Sequence, residues 1–563
     1  MHSGGAVVFE DAHQVPPESC LQAELCIIGG GPVAIALARQ LGRAGRDVIL
    51  LPGAGPQERE EDRERYRGLV EPPGSHEPLE ENRRRVWGGT GTAWGGRCVR
   101  YDPIDFENRS WIPHSGWPIS QAEAEQHLGE ALEFCEAGLD DFDAATVFPH
   151  TPREILPGFD NVFWSSRNLE RWSPPTNFAC RYHAELRDSP RIRVLLHGQA
   201  IHLQLDRDGG RMKGVSVASR PAHKFRIQAK AYILSCGGLE NPRLLLASRD
   251  VQKEGIGNRY DQVGRYYQSH LFGVCGHAVL REPKQMIYNF ERDQDGVYCR
   301  RRFCLTAMAQ KKKQTGNIIG FFFRHLSGSA LHRDAVSSAV FLAKSFVRAA
   351  RGGVGGVGRL WQEQGHLLRE HIRTLWEQAP EAGPRICRLS LERVFGRRRL
   401  PFFLPAPQGG QFPLFYQAEH TPNPESRVLL SPEKVDDLGM PRLVVRIRFS
   451  EKDFHTVRIF HQEFRQRLEA AGLGRLVYDE ASLSAQLEKK SEGFNSNAHH
   501  IGTTRMSAEP SLGVVDAEGR VHGLANLYVS GASIFPSSSH ANPTLLAISM
   551  AFRLAQKITR NLS

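Results

Sequence analysis

The segment that most constrains this chain is a short apolar strand followed at once by a glycine-rich turn. Residues 25–28 are all apolar, and Gly29, Gly31 and Ala34 then form a G-x-G-x-x-A pattern at the start of a helical run. The first glycine allows a tight turn, the second lets backbone N–H groups approach a pyrophosphate, and the third small residue lets the helix pack closely on the strand. A second apolar strand follows at 47–51. This order predicts a dinucleotide-binding fold.

One expected feature of such a fold is missing. Where the second strand ends, an acidic residue normally holds the adenosine ribose. This chain has Pro52 and Gly53 there, with no carboxylate. We therefore expect either that Glu58 or a backbone atom holds the ribose, or that the adenosine end is bound loosely.

The bulk properties narrow the class of protein. A chain of 563 residues is long for one core, so we expect two intimately joined domains. No apolar run reaches the length of a transmembrane segment, and the first residues lack the pattern of a secretory signal. Ten scattered cysteines without a C-x-x-C pair favour a cytoplasmic location and argue against a structural zinc site. The net charge of +10 does not require a nucleic-acid partner.

Several local patterns predict elements along the chain. Residues 1–23 are expected to form a leader that packs late or stays mobile. The loop at 86–97 has two tryptophans among its glycines, which favours a fixed loop against a flat ligand over a mobile linker. Ser120 and Glu123 form a capping box for a helix through Phe134.

The middle of the chain predicts strands and an amphipathic hairpin. Alternating segments at 192–196, 201–205, 214–217 and 225–229 predict a small antiparallel unit, and 231–234 predicts another parallel strand with a helix after it, through Leu246. Residues 334–351 and 359–377 predict two amphipathic helices joined by a glycine-rich linker, with Val336, Val340, Ala343 and Val347 on one face. This hairpin could lie on a membrane surface or cover a sheet.

The carboxyl-terminal region contains the residues that suit redox chemistry. A strand at 527–530 can return to the first sheet, and Asn542–Pro543 suits the start of the last helix. Oxidising an alcohol needs a proton acceptor near the hydroxyl and a hydride acceptor near the carbon. His540 suits the first task and a flavin N5 the second. We expect His499 and His500, which are adjacent, to line the site and not to bind a metal.

With these segments in place, the chain resembles the glucose–methanol–choline (GMC) family of FAD-dependent oxidoreductases. Within that family it is most similar to the branch of pyranose oxidases and glycoside 3-oxidases, which share a G-G-T-x-x-x-W-G-G loop. Residues 280–400 have no firm match. The matching segments are GGGPVA at 29–34, GGTGTAWGG at 88–96, SCGGLENPRLL at 235–245, PNPESRV at 422–428, HHIGTTRM at 499–506 and HANPT at 540–544.

The resemblance implies an α/β fold with two parts. One is a Rossmann-like FAD-binding domain built from discontinuous segments, expected at 20–120, 175–270 and 481–563. The other is an α+β substrate-binding domain with an antiparallel sheet, expected at 121–174 and 271–480.

The resemblance also implies where FAD would lie. The cofactor would cross the 29–34 turn, with its isoalloxazine near 88–96 and the backbone of 542–544. Pyranose oxidases bind the flavin covalently through a histidine of this loop, but this chain has Ala93 there, so we expect non-covalent FAD. The positions expected to contact it are Gly29, Gly31, Pro32, Ala34, Gly88, Gly89, Thr90, Trp94, Gly95, Gly96, Ile201, Cys236, Gly237, Gly531, Ala532, Asn542, Pro543 and Thr544.

The resulting hypothesis is FAD-dependent oxidation of a secondary alcohol to a ketone, on a ring hydroxyl of a sugar or glycoside. His540 would take the hydroxyl proton and Asn542 would orient the hydroxyl. Dioxygen or another acceptor would reoxidise the flavin, and the chain could form a homo-oligomer. The alternatives are oxidation of a non-sugar natural-product alcohol, and a catalytically silent member of the family.

Overall fold

The computed structural model describes residues 9–323, 334–351, 356–378, 380, 383–384, 387, 391, 398–402, 404, 410–492 and 499–561. Across these residues no helix combines the length and the apolar character needed to cross a bilayer. All ten cysteines are free thiols.

The described residues form strands and helices that alternate along the chain. The strands are β1 Phe9–Asp11, β2 Cys20–Ile28, β3 Val48–Leu51, β4 Leu69–Val70, β5 Arg97–Cys98, β6 Trp164–Ser165, β7 Leu169–Trp172, β8 Ile192–Leu196, β9 Gln199–Leu205, β10 Met212–Arg220, β11 His223–Leu234, β12 His270–Leu280, β13 Glu291–Arg292, β14 Tyr298–Arg301, β15 Phe303–Leu305, β16 Ile318–Phe322, β17 Gln411–Glu419, β18 Arg427–Val435, β19 Pro441–Arg446, β20 Gly474–Val477 and β21 Leu527–Val529. The helices are α1 Pro32–Arg43, α2 Glu60–Glu64, α3 Gln121–Ala124, α4 Leu128–Phe134, α5 Ala144–Val147, α6 Phe178–Arg181, α7 His183–Arg187, α8 Glu240–Ala247, α9 Ala307–Lys313, α10 Ala335–Arg351, α11 Gly356–Glu377, α12 Glu451–Ala470, α13 Glu480–Glu492 and α14 Thr544–Asn561.

An eight-stranded sheet forms the centre of the fold. Its strands run in the order β1-β8-β3-β2-β11-β10-β9, and β21 also pairs with β11. The pairs from β1 to β11, and the β11–β21 pair, are parallel, whereas β9, β10 and β11 pair in antiparallel fashion. The apolar run at 25–28 is buried in this sheet. The expected strand–turn–helix–strand unit and the returning strand near 527 are therefore confirmed, as is the α/β class.

Three expectations for this sheet are wrong in part. Residues 192–196 form β8, which pairs in parallel with β3 and so does not belong to an antiparallel unit. The segments at 225–229 and 231–234 are one long strand, whose first half pairs with β10 and whose last residues pair with β21. Residues 9–11 pair with β8 and are not a leader; residues 1–8 lie outside the described part of the chain.

The helix expected after Ser120 forms with its capping box. The Ser120 N–H donates to Glu123 Oε2 at 2.9 Å, and the Glu123 N–H donates to Ser120 Oγ at 3.3 Å. The helix then breaks between α3 and α4, which the sequence pattern did not predict. The last helix starts at Thr544, one residue later than an Asn542 cap would place it; the Pro543 carbonyl accepts the Ala547 N–H at 2.9 Å.

A second, six-stranded sheet forms the other main layer, in the order β20-β12-β17-β16-β15-β6 with all pairs antiparallel. Helix α12 packs on it through Phe460 and Phe464, both fully buried. Aromatic rings from neighbouring strands, among them those of Trp164 and Phe303, meet these two phenylalanines. The core of this layer is therefore built on aromatic contacts.

The expected amphipathic hairpin is present as α10 and α11, which pack on each other. Of the face predicted to be apolar, Val336 is buried, whereas Val340 and Val347 are exposed. Residues 352–355 of the linker lie outside the described chain. The helices therefore pair, but most of this apolar face is not covered by described residues.

A buried ion pair joins the loop after β5 to the six-stranded sheet. Arg109, in the loop after β5, donates from Nη1 and Nη2 to the two carboxylate oxygens of Glu419, at the end of β17, at 2.7 and 2.5 Å. Both side chains are fully buried. Burial tends to lower the pKa of Arg109, but Glu419 more than compensates, and the pKa is raised overall. The pair is therefore a fixed link between the loop after β5 and the six-stranded antiparallel sheet.

Replacing Glu419 with Gln removes the countercharge of a buried guanidinium. We expect a loss of about 3–5 kcal/mol in the free energy of unfolding, because Arg109 would be left buried and uncompensated. Urea denaturation followed by tryptophan fluorescence measures it. Asp188→Asn, in an exposed pair with Arg187, is the control and should leave the midpoint unchanged. An equal midpoint for E419Q and wild type would contradict this role.

Candidate active site

A large cavity of about 790 Å³ lies at the carboxyl ends of the parallel strands. The turns that follow β2, β3, β11 and β21 all open into it, together with the start of α14 and the glycine-rich loop at 86–97. In open α/β sheets, ligands bind at this edge, because the strand ends and helix N-termini converge there. The volume is in the range of about 300–1,000 Å³ usual for cofactor sites.

Most of the positions expected to contact the cofactor line this cavity. They are Gly29, Gly31, Pro32, Gly89, Thr90, Trp94, Gly95, Cys236, Gly237, Gly531, Ala532, Asn542, Pro543 and Thr544. Ala93 lines it too, so the position that would carry a covalent histidine faces the cavity with only a methyl group.

Four expected positions do not line the cavity. Ala34 lies in the first turn of α1 and is fully buried, as close packing of the helix on the strand requires. Ile201 does not line the cavity, which β9 reaches only with its first two residues, Gln199 and Ala200. Gly88 and Gly96 contact protein: a Cβ at Gly88 would lie 2.8 Å from Thr92, and one at Gly96 would lie 2.7 Å from the Ser173 carbonyl oxygen.

Two glycines of the first turn are required by the protein itself. Gly29 has φ of +135°, and a Cβ there would lie 2.3 Å from the carbonyl oxygen of Ser235 on the neighbouring strand. A Cβ at Gly30 would lie 2.4 Å from the Cβ of Pro52. The residue that replaces the usual ribose-binding acid is thus packed directly against the turn.

Other glycines leave open space on the cavity side. An added Cβ at Gly31, Gly95, Gly237 or Gly531 would meet no protein atom within 4 Å. All four line the cavity. Backbone N–H groups that are exposed in this way, beside the N-terminus of α1, can bind the pyrophosphate of a dinucleotide. The residues present therefore fit FAD.

At the far end of the cavity, Glu58 occupies the region expected to hold the adenosine. It lines the cavity, as Pro52 does. One carboxylate oxygen accepts the Arg85 backbone N–H at 2.9 Å, and the other accepts the Arg84 Nη2–H at 3.0 Å. A fixed carboxylate thus stands near the expected ribose, a few residues later in the chain than usual.

A histidine and an asparagine meet at the opposite end. Asn542 Nδ2 lies 3.2 Å from His499 Nε2, and His499 Nδ1 lies 2.9 Å from His270 Nδ1. An amide N–H that donates to Nε2 leaves that nitrogen as an acceptor, so the proton of His499 sits on Nδ1 and points to His270. Among the described residues, Asn542 Oδ1 has no hydrogen-bond partner. The Nε2 lone pair of His499 therefore accepts from Asn542 at the cavity wall, and the amide oxygen of Asn542 is buried.

Burial keeps His499 neutral. It lowers the pKa of His499 to about 3, and the nearby positive charge of Arg97 acts in the same direction. Arg97 also lines the cavity and donates from Nη1 to Gln417 Oε1 at 2.9 Å and from Nε to Glu170 Oε1 at 3.0 Å. The unprotonated state of His499 is thus a property of the fold.

The placement expected for His540 is wrong. This side chain is fully buried and does not line the cavity. Its Nδ1 lies 3.1 Å from Ser539 Oγ, and its Nε2 lies 3.6 Å from Asp102 Oδ2. The physical reason is the turn before α14, which directs Asn542 into the cavity and His540 away from it.

The sequence pattern found His499 as a lining residue but did not reveal its partnership with Asn542. The two residues come from separate segments, and no spacing predicts that they meet. Arg97, Gln199, Glu240 and Arg243 also line the cavity and were not expected. Arg97 is the last residue of the tryptophan–glycine loop at 86–97. This position is the one signal that could have pointed to it.

Comparisons with known proteins show which families and folds this chain is similar to. A family profile described as GMC oxidoreductase matches residues 422–551, and another with the same description matches residues 184–272. The chain is 22% identical to 6'''-hydroxyparomomycin C oxidase of Streptomyces lividus over 96% of this chain and 92% of that protein. It is 28% identical to a C-glycoside 3-oxidase of Microbacterium trichothecenolyticum over 24% of this chain and 26% of that one. A solved FAD-dependent oxidoreductase from Chaetomium thermophilum superposes with a TM-score of 0.53 at 15% identity, covering 96% and 99% of the two chains.

The turn after β2 packs against the protein at Gly29 and faces the cavity at Gly31. Adding one methyl group at either glycine tests these two roles separately. Gly29→Ala should destabilise the flavin-free protein by about 1–3 kcal/mol, because the new Cβ collides with Ser235. Gly31→Ala should leave the denaturation midpoint of that protein near wild type but weaken FAD binding at least about tenfold, because its Cβ enters the cavity. Denaturation of the flavin-free protein and titration with FAD measure the two effects. Wild-type FAD affinity in G31A would contradict this position for the pyrophosphate.

Proposed function

The chain belongs to the GMC oxidoreductase family of FAD-dependent alcohol and sugar oxidoreductases, and from this premise we propose that it oxidises a secondary hydroxyl of a sugar or glycoside to a ketone. The observation that carries the proposal is the His499–Asn542 pair at the wall of the cavity. FAD, held without a covalent bond, would supply the hydride acceptor.

The cofactor would be held by three groups of residues. The backbone at Gly31 and Pro32, at the N-terminus of α1, suits the pyrophosphate. Glu58 suits the ribose, which supports the first of the alternatives drawn from the missing acidic residue. The loop that carries Trp94 suits the ring system, since Trp94 is fixed by its Nε1–H donating to the Thr176 carbonyl at 2.8 Å.

His499 is the proton acceptor in this proposal, in place of His540. Its Nε2 accepts from Asn542 Nδ2 at the cavity wall, and the hydrogen bond from Nδ1 to His270 fixes this tautomer. Asn542 orients the substrate hydroxyl, because its Nδ2 N–H groups can donate to the hydroxyl oxygen. A secondary alcohol whose oxygen displaced the direct Asn542–His499 contact would accept from Asn542 Nδ2 and give its hydroxyl proton to His499 Nε2 as the carbon–hydrogen bond breaks.

The substrate class rests on the relatives. The relative from Streptomyces lividus that covers 96% of this chain is named 6'''-hydroxyparomomycin C oxidase, and a partial relative is named C-glycoside 3-oxidase. These names support a sugar or glycoside as the substrate class. Trp94 and Arg97, which both line the cavity, suit a ring with hydroxyl substituents, through stacking and hydrogen bonds.

A panel of substrates tests the reaction itself. Purified, yellow enzyme is incubated with glycosides, aminoglycosides, free sugars and non-sugar secondary alcohols, with dioxygen or an artificial electron acceptor. We expect turnover of at least one sugar-ring compound and a ketone product two mass units lighter, identified by mass spectrometry. Turnover confined to non-sugar alcohols would contradict the substrate class, and flavin that no compound reduces would contradict the activity.

Replacing His499 with Ala removes the proposed proton acceptor. The rate of flavin reduction by a turned-over substrate should fall about 100-fold or more, in line with the contribution of a general base. Stopped-flow absorbance near 450 nm, roughly where oxidised flavins absorb, measures it. His150→Ala, at an exposed histidine, is the matched control.

The comparison with His540→Gln decides between the two histidines. If His540 were the acceptor, the larger loss would follow this variant. A smaller loss in H499A than in H540Q would overturn the assignment of His499.

A further inference from the structure

A cluster of three ligating side chains lies outside the cofactor cavity. Asp102, Asp105 and His540 each offer one atom, and these atoms lie within 4.8 Å of one another. Asp105 and His540 are fully buried, and Asp102 is partly exposed. None of the three lines the cavity. From their arrangement we infer that they bind one divalent transition-metal cation, of the kind that accepts both carboxylate and imidazole ligands, such as Zn²⁺ or Mn²⁺.

The neighbouring hydroxyl fixes the tautomer of His540. Ser539 Oγ lies 2.6 Å from Asp105 Oδ2, and a hydroxyl next to a carboxylate donates its proton. When Asp105 is ionised, as a metal ligand must be, the oxygen of Ser539 accepts from His540 Nδ1, which lies 3.1 Å away. His540 Nε2 therefore carries a lone pair and no proton, which is the form of imidazole that binds metals.

This lone pair faces another acceptor with no proton between them. His540 Nε2 is buried without a hydrogen-bond partner among the described residues, and Asp102 Oδ2 lies 3.6 Å from it. Two acceptors at this distance repel unless a cation or a donor lies between them. An unpartnered buried nitrogen is costly, so something must satisfy it.

The distance suits a metal ion. With metal–ligand bonds of about 2.0–2.1 Å, two ligand atoms 3.6 Å apart subtend an angle of about 120° at the metal, close to tetrahedral or trigonal geometry.

The surrounding hydrogen bonds orient the carboxylates as those around metal ligands do. Asn317 Nδ2 donates to Asp102 Oδ2 at 2.9 Å and to Asp105 Oδ1 at 3.0 Å. The backbone N–H of Asp102 donates to Asp105 Oδ2 at 2.9 Å. Such outer contacts hold ligating side chains in place.

The charges around the cluster can accommodate a divalent cation. The two aspartates balance it, and the buried Glu419 nearby is already paired with Arg109. The positive charges of Arg302 and Arg97 also act on His540 and oppose a cation. Arg97 is itself paired with Glu170, which leaves Arg302 as the uncompensated opposing charge. The two carboxylates are therefore both needed.

The site would tie two distant segments of the chain together. Asp102 and Asp105 lie in the short turn after β5, whereas His540 lies two residues before Asn542. A bound metal would therefore fix the segment that presents Asn542 to the cavity. The inference does not depend on the proposed reaction, because it concerns binding of a cation and can be tested without a substrate.

The test uses the intact protein. Wild type is expressed with Zn²⁺ and Mn²⁺ in the medium, and its metal content is measured by mass spectrometry. A chelator-treated sample is then titrated with ZnCl₂, MnCl₂ and MgCl₂ by calorimetry and thermal denaturation. We expect one site per chain for Zn²⁺ or Mn²⁺ and a higher melting temperature with the metal bound.

Two variants and two controls locate the site. Asp102→Asn and His540→Gln should each weaken binding at least about tenfold and remove the thermal shift. Asp188→Asn and His522→Gln, which do not touch the cluster, should bind as wild type does. The FAD content of every sample, from its absorbance, reports separately on the cofactor cavity. Folded wild type that neither retains nor binds any of these metals would overturn the inference, as would undiminished binding by both D102N and H540Q.

Discussion

The parallel pairing of β3, β2, β11 and β21 is the constraint on which the rest of the structure depends. This pairing brings four turns from distant parts of the sequence to one edge of the sheet, where the loop at 86–97 and the start of α14 join them to form the cavity. The approach is so close at Gly29 that no side chain fits between the turn and the next strand. The position of the cavity thus follows from backbone packing, and the chemistry is added by the residues that the turns carry.

Much of the central sheet could be predicted because its signals are local. An apolar run, a glycine turn and an amphipathic helix are each visible within a dozen residues, and the strands at 25–28, 47–51 and 527–530 form as expected. The parallel pairing of β8 could not be predicted from such local signals. Its alternation of apolar and polar residues is the same whether it pairs in parallel or in antiparallel fashion, and only the tertiary structure places it beside β3.

In the candidate site, too, the residues on local motifs could be predicted, whereas contacts between distant segments could not. Fourteen of the eighteen positions expected to contact the cofactor line the cavity, since they sit on turns whose backbone path the motifs specify. The roles of the two histidines could not be separated from the sequence. His540 lies closer to Asn542 along the chain, but the turn before α14 sends the two side chains in opposite directions. His499 reaches Asn542 through the folding of a segment that local patterns do not connect with it.

The alanine at position 93 has a consequence for how the protein is kept folded in a cell. A methyl group at the cavity wall cannot form a bond to a flavin, so under the proposed function occupancy would be an equilibrium set by free FAD. A ligand that binds only the native state adds a stabilisation that grows with the logarithm of its concentration. The abundance of this enzyme would then follow the flavin supply of its host, and the emptied chain could be refilled with modified flavins of chosen redox potential.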